Sequence, residues 1–172
     1  QRNIKELTFG SGVKVIGRSV SVGESFYYNE KLKEIKIPDP ENIWYYSFAN
    51  CTGITGVSIG NDEKNTQGRI EADAFRRIGP PVPAVGVIDL YVGSSIDLIG
   101  VSAFNANNDG DADKYSTIKK ATINARHIDV SAFYNQKNIT GITFGDTVKV
   151  IGVAGNESSQ TFYGNYELKE IK

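Results

Sequence analysis

The residues best placed to do chemistry lie in one short stretch, Asn105 to Ser116, which reads NANNDGDADKYS. Asp109, Asp111 and Asp113 alternate along it, preceded by Asn105 and Asn107. Carboxylates and amides on a flexible loop are the oxygen donors that calcium takes. Counted from Asn105 as an EF-hand-like loop, Gly110 falls at position six, where a sharp turn is needed, but position twelve is Ser116 where a bidentate Glu belongs. A solvated acidic loop is the plainer reading. No cofactor is expected, and calcium on Asp109, Asp111 and Asp113 is the one candidate.

Nucleophilic chemistry has less to work with. Cys51 is the only cysteine and His127 the only histidine, so neither a disulfide framework nor a four-ligand zinc site can be assembled. Three repeats of the pattern described below separate the two residues. His127 then reads as a surface or edge histidine, and Cys51 as a buried turn residue, inert as a thiol. The spellings at Asn50, Asn138 and Asn156 that match a glycosylation acceptor carry no weight.

Aromatic residues offer binding rather than catalysis. Trp44, Tyr45 and Tyr46, with Tyr27, Tyr28, Tyr134, Tyr163 and Tyr166, form a stripe that could stack on sugars or anchor a protein, or could simply cover the core.

These residues are positioned by a repeat. The strand spelled LKEIKI at Leu32–Ile37 returns as Ile4/Leu7/Phe9, Ile54/Val57/Ile59, Val85/Ile88/Leu90, Ile118/Ala121/Ile123 and Ile139/Ile142/Phe144, and starts again at Leu168/Ile171. Repeats thus begin near residues 4, 32, 54, 85, 118, 139 and 168, on a minimum unit of 21 to 22 residues. A second landmark is an Ile followed five residues later by a Phe: Ile43 and Phe48, Ile70 and Phe75, Ile99 and Phe104, Ile128 and Phe133. The gap widens before Phe26 and Phe162, in two units that match each other, LTFGSGVKVIG against ITFGDTVKVIG. Duplication of a larger block accounts for that likeness.

Alternation within each strand sends Leu7 and Phe9 inward and Thr8, Lys36, Ser58, Asp89, Thr122 and Thr143 outward. Stacked one per coil, such strands make a parallel sheet with an apolar inner ladder. The VKVIG segments at Val13 and Val148 read as a second short strand on the opposite wall. Three residues after the Phe stands Asn29, Cys51, Asn107, Gln136 or Asn165, suited to hydrogen-bonding the adjoining turn. Insertions follow Phe75, with Pro80, Pro81 and Pro83, and Phe104, with the acidic loop. A polar bulge, Asn61 to Gly68, precedes Ile70.

The totals agree with this picture. Among 172 residues are 18 Gly, nine Tyr and eight Phe, no Met and one Trp, a turn-rich composition with little helix. Lys plus Arg is 19 against 20 Asp plus Glu, which points away from nucleic acid and anionic membranes. No apolar run is long enough to insert in a membrane. Opening at Gln1 and stopping inside a repeat, the chain reads as a single solenoid over residues 1–172 taken from a longer protein.

The spelling I-x-x-I-x-I-P, then I-x-x-x-x-F, then two or three residues to a Cys or Asn, resembles the BspA-type leucine-rich repeats of bacterial and protozoan surface proteins. Leu32–Gly53, LKEIKIPDPENIWYYSFANCTG, is the fullest copy. Ala74, Ala103 and Ala132 keep the Ala that the family places before the Phe, whereas Ser25, Ser47 and Thr161 depart from it. The resemblance implies a right-handed, mainly β leucine-rich-repeat superhelix of about six coils plus the start of a seventh. It also implies export to the cell surface or beyond, adhesion to a host matrix protein or another cell's surface protein, and no enzyme activity. The function expected is a non-catalytic protein-binding module using its sheet face or insertions, with Lys36, Trp44, Tyr45, Tyr46, Asp89 and Lys120 as candidate contacts. A passive spacer presenting another domain and a carbohydrate-binding module are the alternatives.

Overall fold

The computed structural model describes residues 3–19, 25–63, 67–81, 87–106, 115, 117–152 and 159–172. They form stacked coils, each giving one short strand to each of two parallel sheets. The first sheet joins β1 (Glu6–Thr8), β3 (Glu34–Ile37), β5 (Gly56–Ile59), β7 (Ile88–Val92), β9 (Ile118–Ile123), β11 (Gly141–Phe144) and β13 (Glu170–Ile171), in that order. The second joins β2 (Val15–Ile16), β4 (Asn42–Ile43), β6 (Gly68–Ile70), β8 (Ile96–Ile99), β10 (His127–Ile128) and β12 (Val150–Ile151). No α-helix occurs among the described residues, and none of them forms a helix long and apolar enough to cross a membrane.

Alternation decides which side chains enter the core. In β3, Ile35 and Ile37 are buried while Glu34 and Lys36 face solvent, and β5 buries Val57 and Ile59 in the same register. The second strand, expected from the VKVIG spelling alone, is present in all six coils. It is where the first half of the Ile–Phe pair falls, placing Ile16, Ile43, Ile70, Ile99 and Ile128 in one buried row.

The Phe half of the pair builds a third wall. Phe26, Phe48, Phe75, Phe104, Phe133 and Phe162 stack ring on ring, with centroids 4.9–5.3 Å apart and planes within 8–12° of parallel. That spacing matches the distance between hydrogen-bonded strands. The main chain enforces it: the Phe48 N–H donates to the Ala74 carbonyl, Phe75 to Ala103 and Phe104 to Ala132, each at 2.8 Å. Left-handed backbone beside the rings directs those N–H groups along the stack. Tyr46, Asp73, Ser102, Ser131 and Gln160, two residues before a Phe, and Tyr28, Asn50, Arg77 and Asn135, two after, all have positive φ.

Small residues must precede the Phe because the wall is tight. Ala74, Ala103 and Ala132 have no exposed surface. Ser47 is tolerated there because its hydroxyl donates to the Trp44 carbonyl at 2.7 Å. Two of the polar residues three after the Phe bond the adjoining turn, whereas the Asn165 side-chain amide is buried without a partner among the described residues. The Cys51 Sγ donates to the Phe26 carbonyl at 3.0 Å and the Gln136 Nε2 to the Phe104 carbonyl at 2.7 Å, tying each coil to the one before. In the third coil Ile78 fills the slot as an apolar plug, and Asn107 lies outside the described residues. Where the chain leaves the slot it runs close to its neighbour, and a Cβ on Gly53 would meet the Glu30 carbonyl oxygen at 2.2 Å.

One strand lies later than its spelling suggested. Leu90 pairs with Val57 and Ala121, and Val92 with Ile59 and Ile123, so the inward residues of β7 are Ile88, Leu90 and Val92. Between Ile88 and Asp89 the register with β9 slips by one residue, Lys119, and Val85 lies outside the described residues.

Two outcomes follow from this packing. Phe104→Ala, in the middle of the ladder, costs about 3–5 kcal/mol in urea unfolding, and Phe26→Ala at its edge costs less. Burial pushes the Cys51 thiol from an ordinary value of 9.0 up to about 12. The folded thiol therefore resists alkylation at pH 8 and reacts on unfolding. Its contribution to stability is complete below pH 9 and is lost as pH rises toward 12, because the unfolded thiol releases its proton first. Cys51→Ala flattens that part of the stability-against-pH curve.

Candidate functional site

The outer face of the first sheet is the broadest regular surface in the structure, with two rows of outward side chains set by the strand register. One row runs Thr8, Lys36, Ser58, Tyr91, Thr122 and Thr143. The other runs Glu6, Glu34, Gly56, Asp89, Lys120, Gly141 and Glu170. Lys36, Asp89 and Lys120 therefore share this face, with Asp89 and Lys120 side by side on β7 and β9. Asp89 does not take the place equivalent to Lys36 that alternation from Val85 gave it. The later start of β7 moves it to the row of Glu34 and puts Tyr91 beside Ser58.

Tyr91 is the residue that sequence reasoning missed. It stands on β7, the middle strand of seven, and is the one aromatic side chain in the two rows. Its hydroxyl donates to the Asp62 carboxylate, which also accepts from the Asn124 Nδ2 at 3.3 Å. Burial first, and then the bond to Asp62, push the phenol up to about 12, so it remains a neutral donor. Asp62 sits just beyond β5 and Asn124 just beyond β9, so the coils on either side of β7 jointly fix one ring. Next to it, the small residues Gly56 and Ser58 stand between Tyr91 and the charged pair Glu34 and Lys36, whose heads lie 3.8 Å apart. A fixed aromatic wall beside a small-residue step, with charges around it, can receive a side chain from a partner.

Trp44, Tyr45 and Tyr46 lie elsewhere, half-buried between β4 and Phe48. Trp44 and Tyr45 pack at 6.2 Å. The Tyr46 hydroxyl bonds Asp73, whose negative charge raises the phenol's pKa, and Arg76 lies 3.6 Å from the same carboxylate. The expected stripe is divided. Tyr27 and Tyr28 flank the first coil, Tyr134 and Tyr163 stack at 5.2 Å near the other end, and Arg76 and Arg77 stand between. The Arg77 guanidinium lies 4.5 Å over Tyr115.

Other candidates do not converge. His127 is on the outer side of the second sheet with Nδ1 3.6 Å from Asp97. Among the described residues no three His, Cys, Asp or Glu side chains gather as metal ligands. Asp109, Asp111 and Asp113 lie outside the described residues, as does most of the proline insertion. A polar cleft of about 200 Å³, lined by Lys14, Asp39, Glu41, Asn61, Glu63 and Gln67 among others, opens where the first sheet turns into the second. It is smaller than the roughly 300–1,000 Å³ usual for small-molecule sites.

Comparison with known proteins follows the same lines. A leucine-rich cell surface protein from Faecalibacterium prausnitzii A2-165 is 18% identical with a TM-score of 0.50, over 98% of this chain and 47% of that one. A leucine-rich repeat protein from Bacteroides ovatus ATCC 8483 is 20% identical with a TM-score of 0.38, over 98% of this chain and 54% of that one. The chain thus spans about half the length of these solved proteins. No curated protein matches it at a significant level. The family model of the BspA type leucine rich repeat region matches residues 20–169 as six copies. With stacked coils, the Ile–Phe pair and that match in agreement, the chain belongs to the BspA-type leucine-rich repeat family.

Proposed function

We propose that this solenoid is a non-catalytic module, displayed on the cell surface or secreted, that binds an extracellular protein on the outer face of its first sheet. The observation that carries the reading is Tyr91, held in the middle of the face by Asp62 and Asn124. An aromatic anchor already fixed in place gives up little side-chain entropy on binding, and Tyr is among the residues that concentrate binding energy in protein interfaces. Seven strands at about 4.8 Å spacing give a face about 29 Å long, a span suited to a folded partner more than to a small ligand.

Charges of both signs surround the anchor, with Glu34 and Lys36 on one side and Asp89 and Lys120 on the other. Such an arrangement selects a partner by matching its charges, and makes association sensitive to salt. Family membership, and the likeness in fold to a protein described as a leucine-rich cell surface protein, support display outside the cell, where a matrix protein or another cell's surface protein is the class of partner.

A screen of the chain against fibronectin, other matrix proteins and a glycan array tests the reading. Saturable binding to a protein is expected, weakened about tenfold or more by Tyr91→Ala and weakened further by Lys36→Glu, with Trp44→Ala leaving it unchanged. Circular dichroism on each variant checks that the fold is kept. No saturable binding to any of them favours a passive spacer. Binding that survives Tyr91→Ala moves the site off this face, and glycan binding lost with Trp44→Ala moves it to the aromatic wall.

A further inference from the structure

The charged side chains around Tyr91 are not equivalent, because all but one already have a counter-charge. Glu34 and Lys36 stand on β3 with their heads 3.8 Å apart. Lys120 has Glu170 across Gly141, on the side away from Asp89. The Glu170 carboxylate leans over that glycine, 3.9 Å from where a Cβ would stand, and is held below its ordinary range by the bond from Lys172 and then by the Lys120 charge. Asp89 is the exception. It is exposed on the middle strand, and its side chain makes no ion pair or hydrogen bond among the described residues.

The ground beside Asp89 is open. Its neighbour in the row is Gly56, and apart from that glycine's own chain neighbours only the Glu34 Cγ lies within 4 Å of a Cβ placed there, at 3.7 Å. Two residues along β7, about 7 Å, the half-buried Tyr91 ring projects from the same face. Its phenol hydrogen is spent on Asp62, so Tyr91 has its ring and an oxygen lone pair to offer a partner, not a donor. An anionic group arriving here is repelled by Asp89 and Asp62. A cation meets a carboxylate and the negative face of an aromatic ring. The Lys36 charge stands two strands away, about 10 Å, and is offset by Glu34.

On the reading that a protein docks on this face, the geometry points to Asp89 and Tyr91 as the seat of an arginine side chain of that protein, its guanidinium bonded to the Asp89 carboxylate above Gly56 and its plane against the Tyr91 ring. Arginine fits this seat better than lysine. A guanidinium is flat and carries its N–H groups in a fixed fork, so it can hold a carboxylate with two parallel bonds and still lie against a ring, whereas an ammonium is a compact charge with no plane to stack.

Titration of the full chain with N-acetylarginine amide, followed by NMR at the Gly56 and Asp89 amides and the Tyr91 ring, tests the seat without a protein partner. A saturable response is expected at all three, about threefold or more weaker with N-acetyllysine amide and absent with N-acetylglutamate amide. Asp89→Asn weakens the arginine response about tenfold or more, with circular dichroism checking that the fold is kept, and weakens protein binding in the screen as Tyr91→Ala does. No response to the arginine amide, an equal response to the lysine amide, or a response that Asp89→Asn leaves unchanged overturns the inference. The two measurements fail separately. A matrix protein bound through Tyr91 but indifferent to Asp89→Asn overturns the arginine seat and leaves the binding face standing, whereas an arginine amide seated at Asp89 with no protein bound in the screen upholds the seat and counts against the protein-binding reading.

Discussion

Each coil is tied to the next by main-chain hydrogen bonds on three walls, and these set the distance at which all its side chains meet those of its neighbours. Two walls are parallel sheets and the third is the line of Phe turns, with N–H to carbonyl distances of 2.8–3.1 Å from coil to coil. With the spacing held near 5 Å, an aromatic ring can be stacked only on a ring in the same position, and a gap at one position is a gap in the ladder. The Phe is therefore repeated because the backbone admits little else there. Stability in such a stack is close to a sum over neighbouring coils, so the central Phe residues, packed on both sides, matter more than those at the ends.

The third wall has a conformational cost that the sheets do not. Left-handed backbone disfavours residues with a Cβ by about 1–2 kcal/mol, yet Tyr46, Asp73, Ser102 and Ser131 adopt it before their Phe, and Tyr28, Asn50, Arg77 and Asn135 after it. Only Gly164 among the residues two after a Phe is a glycine with positive φ. The cost is offset by the ladder: a turn of any other shape would aim the Phe N–H away from the carbonyl above it and leave buried main-chain groups unpaired. Tyr28 and Tyr46, two aromatic residues of the expected stripe, are thus placed by backbone shape before any role in binding.

How far the structure was legible from the sequence depends on whether a feature recurs. The strand and the Ile–Phe pair recur in every coil and the polar slot in all but the third, so register and burial could be read by superposing copies, and the bonds that Cys51 and Gln136 make to the previous coil followed from residue type. β7 departs from its spelling because its inward residues run Ile88, Leu90 and Val92, without the extra residue that β9 carries at Lys119. Shifting that strand by two residues carried Asp89 into the wrong row and hid Tyr91. The left-handed turns left no trace in composition, because nine of the residues that adopt positive φ are not glycine. Asp62 and Asn124 could not be joined from sequence at all: they are 62 residues apart and meet only because two coils curl around the same tyrosine.

That meeting bears on how a scaffold built from near-identical coils can be specific. A pure repeat presents the same side chains at every step and would bind a partner in several registers of equal energy. Specificity needs a place where the steps differ, and on this face they differ at the fourth strand, where an aromatic replaces the Lys, Ser or Thr found in the other coils of its row. Its two supports come from loop positions outside the repeat's inward pattern, so they can vary without disturbing the ladder. Tyr91 has a buried row behind it, Leu90 and Val92 packed to 3% and 0% exposure, and so inherits the rigidity of the stack while its hydroxyl is set by Asp62. The regular part of the coil supplies stiffness, the irregular part supplies identity, and a partner that recognises Tyr91 with the Gly56 and Ser58 step beside it has one register in which to dock.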